Sequence, residues 1–198
     1  MTTPIGQRDL DRRAQELARR LRARSLRIVF AESCTGGLVS ASLTSVAGVS
    51  EQHCGSAVVY RPATKAGWLG VSPQALEDPG PVSREVAEAM ALGVLERTPE
   101  ADLAVSVTGH LGPGAPGDLD GLVYVSTAAR SPAGSPEVLQ TEQFRLPGGV
   151  SSAGRGPRQF RRLRQRQAAV RVLDIAIEAV ARLAAGGENS EAAEANVC

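Results

Sequence analysis

AESCTGG, Ala31 to Gly37, stands between two runs of different periodicity, and the way it is read decides the fold. Before it comes RIVF, Arg27 to Phe30, whose β-branched and aromatic residues predict a strand. After it, LVSASLTSV places Leu38, Ala41, Leu43 and Val46 at roughly helical spacing. Ser33, Cys34 and Thr35 therefore fall in a turn from strand to helix. Such a turn offers backbone N–H groups without partners and the positive end of a helix dipole. Gly36 and Gly37 have no Cβ, so a ligand or an oxyanion can come close to the backbone there. Ser33 can be read as a nucleophile or as a cap of the following helix, capping being the commoner use of such a residue.

Outward from this turn, Asp9 to Arg24 sets Leu10, Ala14, Leu17, Ala18 and Leu21 on one face among many arginines, an amphipathic surface helix whose charges form its solvated side. His53 to Tyr60 (HCGSAVVY) reads as a second strand, and Ala63 to Leu69 as a short helix carrying Lys65 and Trp68. Lys65 is the only lysine in the chain. A desolvated lysine amine can give up its proton and act as a base, which an arginine cannot do; the plainer reading is a surface lysine in an arginine-biased chain. Leu76 to Val82 reads as a loop, with Ser83 the N-cap of a helix Arg84 to Arg97 that turns Val86, Met90 and Val94 inward. Ala101 to Thr108 is a third strand, running into a loop dense in glycine and proline from Gly109 to Gly117. Gly121 to Ala128 and Val138 to Leu146 flank the turn-rich ARSPAGSPE, which predicts a hairpin and brings antiparallel pairing into the sheet. Pro147 to Pro157 reads as a flexible segment. A helix from Gln159 to Leu183 follows with Leu163, Val170, Leu173, Ile177 and Val180 inward, ended by Gly186 and Gly187 ahead of a polar, disordered tail.

A chain of 198 residues suits one domain, expected over 1–186 with the tail at 187–198. Aromatic residues are only 3%, so the core must rest on Val, Leu, Ile and Ala. The net charge of +1 argues against a general attraction to nucleic acid or membrane. The three cysteines, Cys34, Cys54 and Cys198, show no metal-site spacing and fit reduced thiols. The N-terminus has no apolar signal core and no apolar run is long enough to cross a bilayer, so a cytoplasmic location is expected. Apolar helix faces in so aromatic-poor a domain predict self-association, a dimer first of all.

AESCTGG after a strand, Tyr60 and Lys65 around the end of the next, GPVS at Gly80 to Ser83 and VTGHLGPG at Val107 to Gly114 occur in an order that resembles the C-terminal domain of the competence-damage-inducible protein CinA. The resemblance runs from about Asp9 to Leu183, and stand-alone members of that family are nicotinamide mononucleotide deamidases. It implies an α/β fold, a single three-layer domain with a mixed, mainly parallel sheet flanked by helices. It also implies hydrolysis of the nucleotide's carboxamide to nicotinate mononucleotide and ammonia, with no cofactor and no metal. Ser33 matches the family's nucleophile and Lys65 its base, with Tyr60 beside them. Thr35, Gly36 and Gly37 would stabilise the oxyanion, and Thr108, Gly109, His110 and Gly112 would line the nucleotide.

The chain departs from that pattern in four places. Pro62 stands where the family commonly has asparagine, and His110 and Leu111 replace an Ile-Ala pair. Asp118 to Gly121 replaces a Lys-Pro-Val-Gly turn, and GRGPRQFRRLRQRQ replaces Gly-Asp-Arg before the last helix. Arg155, Arg158, Arg161, Arg162, Arg164 and Arg166 are alternatives for phosphate contact, Arg164 being the one selected. Cys34 reads as buried packing, and His110 as polar lining in preference to an added acid or base. The alternative to an amidohydrolase is a diverged nucleotide-binding or regulatory module that keeps the pocket.

Overall fold

Strict alternation in the first strand sets up both sides of the sheet. In a computed structural model describing residues 6–112, 115, 117–131, 133–147 and 156–194, β1 (Ile28–Glu32) sends Ile28 and Phe30 into one apolar cluster and Val29 and Ala31 into another. Burial on both faces is the mark of a central strand, and β1 lies between β2 (His53–Val58) and β3 (Leu103–Gly109), parallel to each. β4 (Leu122–Arg130) runs antiparallel to β3 and to β5 (Pro136–Arg145), completing a sheet in the order β2-β1-β3-β4-β5. Four strands thus run one way and β4 opposes them, the mixed, mainly parallel sheet expected.

Helices cover both faces. On one lie α1 (Gln7–Ala23), α2 (Leu38–Thr44) and α6 (Pro157–Glu194), whose buried residues pack with Ile28, Phe30, Val105, Val107 and Val125. On the other, α5 (Arg84–Glu96) packs Val86, Met90 and Val94 against Val29 and Ala104, beside α3 (Pro62–Leu69) and the short α4 (Pro73–Glu77). Ser83 caps α5 by accepting from Val86 N at 3.3 Å. All five apolar positions named for α1 are buried, while its outer arginines pair locally, Arg19 and Arg20 with Glu16.

Several boundaries differ from the sequence expectation. Helix α2 buries Val39, Ser42 and Leu43, and Ala41 is exposed. Both faces satisfy helical spacing, so the pattern of apolar residues alone does not choose between them. Leu76 and Glu77 belong to α4, capped by Ser72, where a loop was expected. The β4–β5 strands extend to Arg130 and from Pro136, so the turn is shorter than ARSPAGSPE. Helix α6 continues through Gly186 and Gly187 to Glu194, because glycine costs a helix only about 1 kcal/mol and the alanines and glutamates beyond favour it. Most of the Pro147 to Pro157 segment and residues 195–198 lie outside the described residues.

Candidate active site

β1 connects to β2 on one side and the chain then returns to β3 on the other, so the connections part at the carboxyl ends of β1 and β3. That switch point is where open α/β sheets leave a crevice. The Ser33 amide donates to Val107 O at 3.0 Å, tying the AESCTGG turn to the end of β3. A cavity of about 370 Å³ opens there, with Ser33, Cys34, Tyr60, Lys65, Thr108 and Arg161 among its lining residues.

Lys65 is carried in by the first turns of α3, a helix that Pro62 starts with a pre-set φ. Its side chain is 1% exposed. Nζ donates to Pro81 O at 2.6 Å and to Thr108 Oγ1 at 2.8 Å, and Thr108 Oγ1 itself donates to Pro81 O at 2.8 Å. With no carboxylate among these partners, burial pushes the amine down to about 8 from an ordinary 10.5. A neutral amine spends two hydrogens on Pro81 and Thr108, which leaves its lone pair as the one unfilled tetrahedral direction. Ser33 is 7% exposed, and among the described residues its hydroxyl has no hydrogen-bond partner. An amine that holds its proton weakly and an uncommitted hydroxyl on one cavity form a pair that can serve as base and nucleophile.

Cys34 lines the same cavity, but burial pushes its thiol up to about 12, so it stays protonated and inert near neutral pH. His110 is half-buried, its imidazole pushed down by burial and by nearby Lys65 against the opposing pull of Asp120, a neutral polar lining. Tyr60 sits at the rim, 60% exposed, its hydroxyl accepting from Arg161 Nη2 at 2.7 Å. Arg161 also donates to Gly112 O at 3.2 Å, so it spans two parts of the lining.

The remaining expected site residues take other places. Thr35, Gly36 and Gly37 are not in the cavity lining, because Glu32 has claimed their turn. This fully buried carboxylate accepts from Thr35 Oγ1 at 2.7 Å and from the amides of Gly37, Val39 and Ser40 at 3.0, 3.1 and 2.9 Å. It also accepts from Ser56 Oγ at 3.2 Å. The Gly36 amide donates to Ser33 O. Arg164 likewise faces away from the lining, 2% exposed and bonded twice to Asp120 at 2.6 and 2.9 Å. Thr108 meets Lys65 directly, and Gly109, His110 and Gly112 line the cavity as expected. Gly109 has no room for a side chain, since a Cβ there would fall 2.8 Å from Val123 Cγ2 and 2.9 Å from Leu122 O.

The profile of the CinA C-terminal domain matches residues 10–150. The chain belongs to the CinA C-terminal domain family. Among similar sequences, a CinA-like protein of Desulfotalea psychrophila is 43% identical over 129 residues, which are 64% of this chain and 30% of that protein. A CinA-like protein of Chlorobium phaeovibrioides is 37% identical over 171 residues, 85% of this chain and 37% of that protein. The chain thus spans about a third of the length of the curated relatives it matches. Among solved structures, the competence/damage inducible protein CihA from Agrobacterium tumefaciens has a TM-score of 0.69 at 33% identity, covering 90% of this chain and 99% of that one. A CinA superfamily protein from Klebsiella pneumoniae has a TM-score of 0.73 at 26% identity, covering 87% and 98%.

Two features of this CinA domain were not singled out from sequence. Among the described arginines of the six in this stretch, Arg161 is the one that lines the cavity, and its signal was the three-residue spacing that puts it on the same helix face as Arg164. Glu32 carried a signal too, an acid at the buried end of a strand beside a Ser/Thr/Gly turn. Among the described residues no group of acidic, histidine and cysteine side chains could hold a metal ion, and no helix is long and apolar enough to cross a membrane.

Proposed function

We propose that this CinA domain is an amidohydrolase that converts nicotinamide mononucleotide, or a close relative, to the corresponding acid and ammonia. The observation that carries the reading is that the uncommitted Ser33 hydroxyl and the buried Lys65 amine, pushed down to about 8, share one cavity. The amine takes the hydroxyl proton as Oγ bonds to the carboxamide carbon. It returns that proton to the nitrogen as the C–N bond breaks, releasing ammonia and leaving an ester on Ser33. Water then attacks the ester with the same amine as base, and Oγ departs with the proton. The turn contains no acceptor among the described residues for the amide of Thr35, which makes it a donor available to the oxyanion. Arg161 supplies a permanent positive charge for a phosphate at the rim.

Pro62 favours a second reading, a nucleotide-binding module without turnover. It lines the cavity where the family pattern has asparagine, and it brings neither an amide N–H nor a polar side chain. Ammonia release over a panel of nicotinamide nucleotides and nucleosides separates the two. The amidase reading expects turnover that falls by about a thousandfold or more in Ser33→Ala and Lys65→Ala, with the folds intact. Unchanged turnover in Ser33→Ala overturns it, and calorimetric binding with no ammonia selects the second reading.

A further inference from the structure

The proposed chemistry uses Arg161 and leaves a second arginine, one helical turn along, unexplained. Arg164 is 2% exposed, is bonded through both terminal nitrogens to the Asp120 carboxylate, and holds its guanidinium 4.3 Å from the centre of the Phe160 ring. A desolvated cation of this kind is expensive to leave unpaired, so Asp120 and Arg164 act as one unit.

That unit stands directly behind the cavity. A Cβ placed on Gly112 would fall 2.1 Å from Asp120 Oδ1 and 2.8 Å from Arg164 Nη1, and one on Gly121 would fall 3.2 Å from Arg164 Nη2. The backbone on both sides of the glycine-rich loop therefore rests on the ion pair with no side chain between. The same backbone is cross-tied, with the His110 amide donating to Leu122 O and the Gly121 amide to His110 O, each at 2.8 Å. Arg145 donates to Asp120 O at 2.8 Å, and Arg161 to Gly112 O at 3.2 Å. The cavity wall from Gly109 to Gly112 thus has the Asp120–Arg164 pair behind it and Arg161 across its face.

We infer that Asp120 and Arg164 are positioning residues: their ion pair holds the Gly109–Gly112 wall against α6 and, by consuming Arg164, leaves Arg161 as the cation presented to a bound phosphate. The ligand in this statement rests on the amidase reading, whereas the wall does not. Asp120→Asn keeps the shape of the side chain and removes its charge. Arg164→Lys keeps the charge and removes the two-pronged bond, and serves as the second variant if the first does not fold.

Hydrogen exchange reads the wall directly. Peptides covering Thr108 to Gly112 and Asp120 to Leu122 are expected to exchange about tenfold faster in either variant, with α5 and β1 unchanged. In steady-state assays KM for nicotinamide mononucleotide is expected to rise about tenfold with kcat within about twofold, and Asp120→Glu to recover part of the loss. A variant with a lowered unfolding midpoint but wild-type exchange at the wall and wild-type KM overturns the inference. If the wild-type protein neither binds nor turns over the nucleotide, the amidase reading falls, and the exchange experiment still decides whether the pair holds the wall.

Discussion

Raising the pH through the titration of Lys65 is expected to speed turnover and strengthen the fold together, because both are set by one buried amine. With that amine at about 8, about a tenth of the molecules carry it neutral at pH 7 and about nine tenths at pH 9, so kcat/KM should rise about tenfold over that interval. The folded protein holds this proton less tightly than the unfolded chain, whose lysine has the ordinary value of 10.5. Below pH 8 the full penalty of a buried ammonium is therefore present, and it is relieved as the pH rises toward 10.5. The whole span corresponds to about 3 kcal/mol. Lys65→Met removes the titration but also removes the bonds to Pro81 O and Thr108 Oγ1, worth about 1 kcal/mol each. The variant should then be about 1 kcal/mol more stable than the wild type at pH 7 and slightly less stable at pH 9.5, a swing of about 2 kcal/mol. Urea unfolding of both proteins in parallel from pH 7 to 9.5 cancels the groups they share, and ammonia release in the same buffers gives the rate. A stability difference that stays flat within about 0.5 kcal/mol, or a rate without a rising limb near pH 8, would refute the reasoning.

Glu32→Gln puts an amide NH₂ among groups that are themselves donors, and is expected to cost about 3 kcal/mol or more in urea unfolding; a loss under about 1 kcal/mol would contradict the role given to that carboxylate. Arg161→Ala should raise KM for the nucleotide about tenfold while leaving the matching nucleoside within about twofold, and an equal loss for both would mean that the guanidinium does not read the phosphate. The exposed large apolar side chains of the stretch Val58 to Trp68 are expected to support a dimer, so light scattering should return the mass of two chains, and a mass of one chain excludes it.

The strand and helix order was legible because each element carries its own periodicity. Ile28 to Ala31 alternates between two apolar clusters, and Ser83 announces α5 one residue before it starts. What could not be read were choices that depend on partners far along the chain. Helical spacing puts Arg161 and Arg164 on one face of α6, but which of them is desolvated is decided by Asp120, 44 residues earlier than Arg164. In the same way AESCTGG announces a turn with unclaimed amides, and only the packed turn reveals that its own glutamate has bonded to the amides of Gly37, Val39 and Ser40. The end of α6 escaped for a different reason, since two glycines weaken a helix without preventing it, as a proline would.

These placements bear on where a charged ligand can be held. The start of α2 already has a resident anion in Glu32, so a second one gains little there. Arg164 is neutralised by Asp120. Lys65 can act as a base only while its proton is weakly held, and a phosphate beside it would favour the ammonium and raise its pKa out of the useful range. If the substrate is the proposed nucleotide, the group that holds its phosphate must therefore be a cation that keeps its charge at any working pH and stands apart from the base. Arginine meets the first condition and lysine cannot meet it once desolvated. Lys65 is the only lysine in a chain with 22 lysines and arginines together, so on the proposed amidase reading the chemistry of the base falls to it while Arg161 carries the permanent charge.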